Sequence, residues 1–141
     1  MKPVVQLDRT GCGIAAAAAI SGRTYREVKR KAAGIGVFAE DPRLWSDSEP
    51  ICKVLATFGN KVENRRRPFT GWDALPALAL LATKWHLEQG RPFWHWAVFV
   101  RDGDESYVLD SKRSLRSHRR TDFGRIKPKW FLRVSDQARS R

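Results

Sequence analysis

The chain has 141 residues, 42% of them apolar and six of them Trp, and carries 27 Lys plus Arg against 15 Asp plus Glu, a net charge of +12. This length and apolar content predict a single domain over residues 1–135 with its own core, and no run of 18 apolar residues offers a membrane span. The excess of positive charge speaks to partners rather than to fold, and points to acidic polymers: nucleic acid, an anionic cell wall or a membrane surface.

The first half reads as helical. Cys12 to Ser21, with its run Ala15–Ala19, predicts a helix of small side chains stopped by Gly22, suited to burial against a sheet. Thr24-x-x-Glu27 is a capping box opening a basic helix of about ten residues, which Gly34-Ile35-Gly36 ends. Ser46-x-x-Glu49 with Pro50 predicts a third helix running to about Phe58, closed by Gly59-Asn60. Thereafter the pattern becomes that of strands. A short strand is expected over 61–67 and a buried one over 77–85, where an apolar run is equally compatible with helix. Residues 93–101 are rich in aromatics and Val and read as a strand. Asp102-Gly103-Asp104-Glu105 is a turn, 106–110 the returning strand and 129–134 a last strand, followed by a frayed polar tail over 136–141. Helices first and antiparallel strands afterwards predict an α+β domain, with N-terminal helices packed on a C-terminal antiparallel sheet.

Cys12 stands between Gly11 and Gly13 at the start of the first helix, where unpaired N–H groups and the helix dipole favour a thiolate. A hairpin turning at 102–105 pairs Arg101 with Ser106, so that Ala97 faces Asp110 and His95 faces Lys112. His95 and Asp110 then share a face as diagonal neighbours, roughly 7–8 Å apart at the backbone. This is the spacing a carboxylate needs to fix an imidazole tautomer, and a one-residue slip would put the two on opposite faces. Cys12 and Cys52 form no disulfide framework, and with His86, His95 and His118 scattered there is no metal-ligand spacing. A reduced compartment and no cofactor or metal are expected. Asp8 and Arg9 interrupt any N-terminal apolar run, so the sequence as written lacks a signal-peptide pattern; the expected location is the cytoplasm, or outside it through a dedicated secretion system.

Gln6 lies six residues before Cys12, Cys12-Gly13 enters an Ala-rich helix, His95-Trp96 precedes Val98-Phe99-Val100, and Tyr107-Val108-Leu109 leads to Asp110. In this order and spacing, over residues 4–111, the chain resembles the papain-like cysteine peptidases that remove double-glycine leaders from bacteriocin precursors, and particularly their stand-alone relatives. The resemblance implies a papain-like fold and a Cys-His-Asp triad acting on a peptide or protein substrate. Cys12 would be the nucleophile, His95 the general base and then acid, and Asp110 the group that orients His95. Gln6 and the Cys12 backbone N–H would supply the oxyanion hole. The leader-processing members are fused to a transporter, which this sequence is not.

Three functional readings follow. The first is a cysteine peptidase or amidase working through a thioester. The second keeps the chemistry and changes the substrate, to a cell-wall amidase or toxin effector. The third is a non-catalytic basic module that grips nucleic acid or another acidic partner. On that last reading Cys12 is a structural thiol, His95 a satisfied core histidine, Asp110 a strand end and Gln6 an ordinary polar residue. Cys52, beside Ile51, Val54 and Leu55, reads as core, and His86 and His118 carry no signal of chemistry. The basic runs are 23–31, Arg65-Arg66-Arg67 and 112–120. The last is the densest, and could line the mouth of the site and favour an acidic substrate.

Overall fold

The computed structural model describes residues 1–136. Three helices are formed: α1 (Cys12–Ser21), α2 (Tyr25–Gly34) and α3 (Glu49–Thr57). Seven strands follow: β1 (Asn60–Val62), β2 (Arg67–Pro68), β3 (Leu78–Glu88), β4 (Arg91–Asp102), β5 (Glu105–Leu109), β6 (Arg119–Arg120) and β7 (Trp130–Asp136). The chain is α+β, with the helices packed on an antiparallel sheet, and no described helix is long and apolar enough to cross a membrane.

Local chemistry sets the helix ends. Gly22 takes the left-handed conformation (φ 66°) that stops α1. Thr24 Oγ1 accepts from the Glu27 N–H, and Glu27 returns the bond to the Thr24 N–H, so the capping box is formed. The third helix, expected to open at Ser46-x-x-Glu49, starts later. Residues 42–45 coil into a 3-10 turn that Ser46 ends, Ser48 is the N-cap of α3, and Asp47 Oδ1 accepts the Glu49 N–H. The expected strand over 61–67 is two short pieces, β1 and β2, both paired with β7.

The strand order β1-β7-β3-β4-β5-β6 inserts the last strand between the first and the third. The strand expected over 129–134 extends to Asp136, opposite Asn60, so the expected frayed tail does not include Asp136; residues 137–141 lie outside the described residues. Strands β3 and β4 form a long hairpin through Gln89 and Gly90, both at positive φ, the pattern of a type I′ turn. The β4–β5 hairpin has the expected register, Arg101 opposite Ser106, and turns at Gly103-Asp104.

Alternation along β4 divides its side chains between two faces. Trp94, Trp96 and Val98 meet α1, α2 and α3 in the larger apolar cluster, where nine of the ten α1 residues are buried. Ala97 and Phe99 meet a smaller cluster covered by Leu75, Ile126, Trp72 and Phe123. Trp94, Trp96 and Trp130 pack edge to face, and Trp96 Nε1 donates to Leu44 O at 3.1 Å. Truncating an indole so buried costs about 3–5 kcal/mol. Gly13 lets α1 approach this cluster, since a Cβ there would lie 3.2 Å from the Trp96 ring.

Candidate active site

The loop ahead of α1 is tied down at several points. The Gln6 N–H donates to Ser111 O, Asp8 accepts from Tyr25 Oη at 2.7 Å and from Lys29 Nζ at 3.1 Å, and Thr10 Oγ1 donates to Ala39 O. Tyr25 lies so close to Gly11 that a Cβ there would stand 2.0 Å from its hydroxyl oxygen. This packing fixes where α1 begins, and Cys12 is its first residue.

The sheet receives the thiol at a gap. β5 last pairs with β4 at Leu109 opposite Val98. Two residues further along β4, the Trp96 N–H donates to Cys12 Sγ at 3.4 Å, so the thiol occupies the place of a ladder partner. Cys12 is completely buried, and its thiol acts electrostatically on the His95 imidazole, favouring the protonated ring.

His95 and Asp110 meet as the hairpin register requires: Nε2–H of His95 donates to Asp110 Oδ1 at 2.8 Å. Nδ1 is therefore the nitrogen left for Cys12. Burial alone would lower the His95 pKa. The Asp110 hydrogen bond and the influence of Cys12 outweigh it and hold the imidazole at about 9. Burial would likewise raise the Asp110 carboxyl, but His95, the Lys112 N–H at 3.1 Å and Arg120 outweigh it and hold it well below the usual carboxylate range. The result is an imidazolium poised between a thiol and a carboxylate.

Arg120 lies in the basic run that the sequence places at the mouth of the site, but its role as a partner of Asp110 is not foreseen there. Its Nη1 donates to Asp110 Oδ2 at 3.0 Å, while Nε and Nη2 grip Asp122. The side chain is 16% exposed. Arg119 pairs with Glu105 and stacks on Tyr107, so within the 112–120 run Lys112, Arg113 and Arg116 remain exposed and without a salt-bridge partner among the described residues. His118 Nδ1–H donates to Asp110 O, and the Asp110 N–H donates to His118 O. His118 thus holds the Asp110 backbone without touching its carboxylate. Only the two-residue strand β6 brings these groups beside Asp110, and nothing local in the sequence announces it.

Gln6 is in the loop beside the site, but its amide is engaged. Nε2 donates to Asp8 O at 3.0 Å and Arg9 O at 3.1 Å, and Oε1 accepts from Ser111 Oγ. Both amide hydrogens are spent, so an oxyanion role requires one of these bonds to break. The N–H groups in the first turn of α1 have no intrahelical partner and are the donors nearest Cys12 in sequence. Cys52 is half-buried on α3; burial, with Asp47 and Glu49 nearby, pushes its thiol up to about 11. Among the described residues no group of three or more His, Cys, Asp or Glu is placed to hold a metal ion.

No protein-family model, curated protein or solved structure matches the chain.

Proposed function

We propose that the chain is a cysteine hydrolase of papain-like fold that cleaves a peptide or amide bond. The supporting observation is the His95–Asp110 hydrogen bond at 2.8 Å next to the Trp96 N–H that holds Cys12 Sγ, with the imidazole pKa raised to about 9. The Cys12 thiolate attacks the carbonyl carbon, and N–H groups of the first turn of α1 take the oxyanion. As the C–N bond breaks, His95 Nδ1 gives its proton to the leaving amine and a thioester remains. Neutral His95 then takes a proton from water, whose oxygen attacks the thioester and releases the acid and the thiolate. A bacteriocin-type leader, another peptide or a cell-wall amide would each serve as substrate for this chemistry.

A second reading, a binding module with a structural thiol, is favoured by the complete burial of Cys12. Brief iodoacetamide treatment of folded protein at pH 6, followed by mass spectrometry, separates the two. Cys52 is the more exposed thiol, but with a pKa of about 11 only about one molecule in 10⁵ is thiolate at pH 6. On the hydrolase reading label is expected at Cys12 first, and His95→Ala slows it. Equal labelling of both cysteines, or none at Cys12, rejects the hydrolase.

A further inference from the structure

A cavity of about 480 Å³ is lined by Asp110 and Arg120, the two groups that follow His95 in the hydrogen-bond chain. One wall is the irregular part of β3. Pairing with β4 runs regularly to Thr83 opposite His95, breaks, and resumes at His86 opposite Phe93. Lys84 sits in that break at φ 53°, a left-handed conformation unusual for a residue with a side chain. The opposite wall is the 125–129 segment, which brings Arg125, Lys127 and Lys129.

The charge of the cavity is one-sided. Lys84, Arg120, Arg125, Lys127 and Lys129 line it against a single carboxylate, Asp110. That carboxylate already serves His95, the Lys112 N–H and Arg120, and the neighbouring Asp122 is gripped by Arg120. Lys129 lies over the Trp85 ring, 4.1 Å from its centroid. Lys84, Arg125 and Lys127 have no salt-bridge partner among the described residues. The left-handed backbone at Lys84 brings one more exposed cation to a site already rich in them, so the cavity presents a positive potential to an incoming anion. Burial and the neighbouring Lys112 lower the Lys84 pKa, with Asp110 opposing them.

We propose that this cavity is the subsite for a carboxylate carried by the substrate, received by Lys84, Arg125 and Lys127 beside the His95–Asp110 pair. The inference rests on the hydrolase reading for the word substrate, and on the cavity alone for the carboxylate. It makes the enzyme selective for peptides with an acidic residue, or a free C-terminus, near the scissile bond.

The test is a nuclear magnetic resonance titration of the ¹⁵N-labelled full chain with three probes. N-acetyl-glutamate α-amide carries only the side-chain carboxylate, N-acetyl-glutamine only the terminal one, and N-acetyl-glutaminamide neither. The amides of Thr83, Lys84 and Lys127 are expected to shift with at least one charged probe and not with the neutral one, and the responding probe identifies the source of the carboxylate. Lys84→Gln with Lys127→Gln, both exposed positions, should weaken that binding at least tenfold; Gln tolerates the left-handed conformation elsewhere in this chain, at Gln89. Shifts equal for all three probes, shifts located elsewhere, or an affinity the double variant leaves intact would overturn the proposal. Iodoacetamide labelling of the same wild-type protein reports separately on the hydrolase: an inert Cys12 with intact carboxylate binding rejects the enzyme and leaves the anion site standing.

Discussion

Arg120 and His95 divide the Asp110 carboxylate between them, Nη1 at 3.0 Å from Oδ2 and Nε2 at 2.8 Å from Oδ1. A carboxylate buried to 4% exposure is costly unless every lone pair has a partner, and here two cations and the Lys112 N–H supply them. The guanidinium is in turn anchored by Asp122, so the orientation of His95 is fixed from two residues beyond it.

Removing the guanidinium tests this arrangement. Arg120→Met takes a positive charge away from the neighbourhood of the imidazolium, which should raise the His95 pKa further above about 9. A nuclear magnetic resonance titration of the His95 ring reads it directly. A fall would show that without Arg120 the carboxylate turns away from the imidazole.

Asp110→Asn replaces the acceptor of two cations with a neutral amide. Turnover on an identified substrate should drop, by less than the roughly four orders of magnitude such a change costs a serine triad, because a thiolate–imidazolium pair depends less on the third group. Stability should also fall, by about 3–5 kcal/mol in denaturant unfolding, because Arg120 is left with a buried, half-compensated charge. A variant that keeps wild-type turnover would remove Asp110 from the machinery.

The same pair sets a pH dependence of folding. The folded pKa of His95 is raised, so its stabilisation is complete below the unfolded value of 6.5 and is lost as pH rises through about 9. The folded pKa of Asp110 is depressed, so its stabilisation is present above 3.8 and is lost as pH falls below that value. Thermal melts should therefore be highest between about pH 4 and 6.5 and decline on both sides. Asp110→Asn should flatten the alkaline decline; an unchanged slope would place its cause elsewhere.

Gln6→Ala distinguishes an oxyanion donor from a loop brace. Its amide bonds to Asp8 O, Arg9 O and Ser111 Oγ predict a loss of about 1–3 kcal/mol of stability. If the amide instead swings into the oxyanion hole, turnover falls roughly a hundredfold to a thousandfold while the melt barely moves.

Gly11→Ala should destabilise the fold by about 1–3 kcal/mol, because the new methyl meets the Tyr25 hydroxyl and displaces it from Asp8. Adding Tyr25→Phe removes the closest clashing atom, at the expense of that hydrogen bond. The double variant should accordingly lose less than the sum of the two single changes, in a double-mutant cycle. Strict additivity would mean that the loop moves aside.

What could be read from the sequence was what leaves a local mark. The Asp102-Gly103-Asp104 turn set the β4–β5 register, and with it the meeting of His95 and Asp110, and the Thr24–Glu27 box set the start of α2. The Gln89-Gly90 turn went unread because Gln rarely takes positive φ, which left β3 and β4 too short. Ser46 and Glu49 have the spacing of a capping box, but the 3-10 turn before them claims Ser46. The insertion of β7 between β1 and β3, and the arrival of Arg120 at Asp110, depend on pairings between distant segments that no neighbouring residue encodes.

The Trp96 N–H bond to Cys12 Sγ spans 84 positions of the chain. During synthesis Cys12 emerges well before His95, Asp110 and Arg120, the three groups that gather around it in the fold. A nascent chain that has reached only β3 therefore carries this thiol without its partners, which arrive with β4, β5 and β6. On the hydrolase reading, a ribosome-bound fragment that stops short of Arg120 should be inert toward substrate.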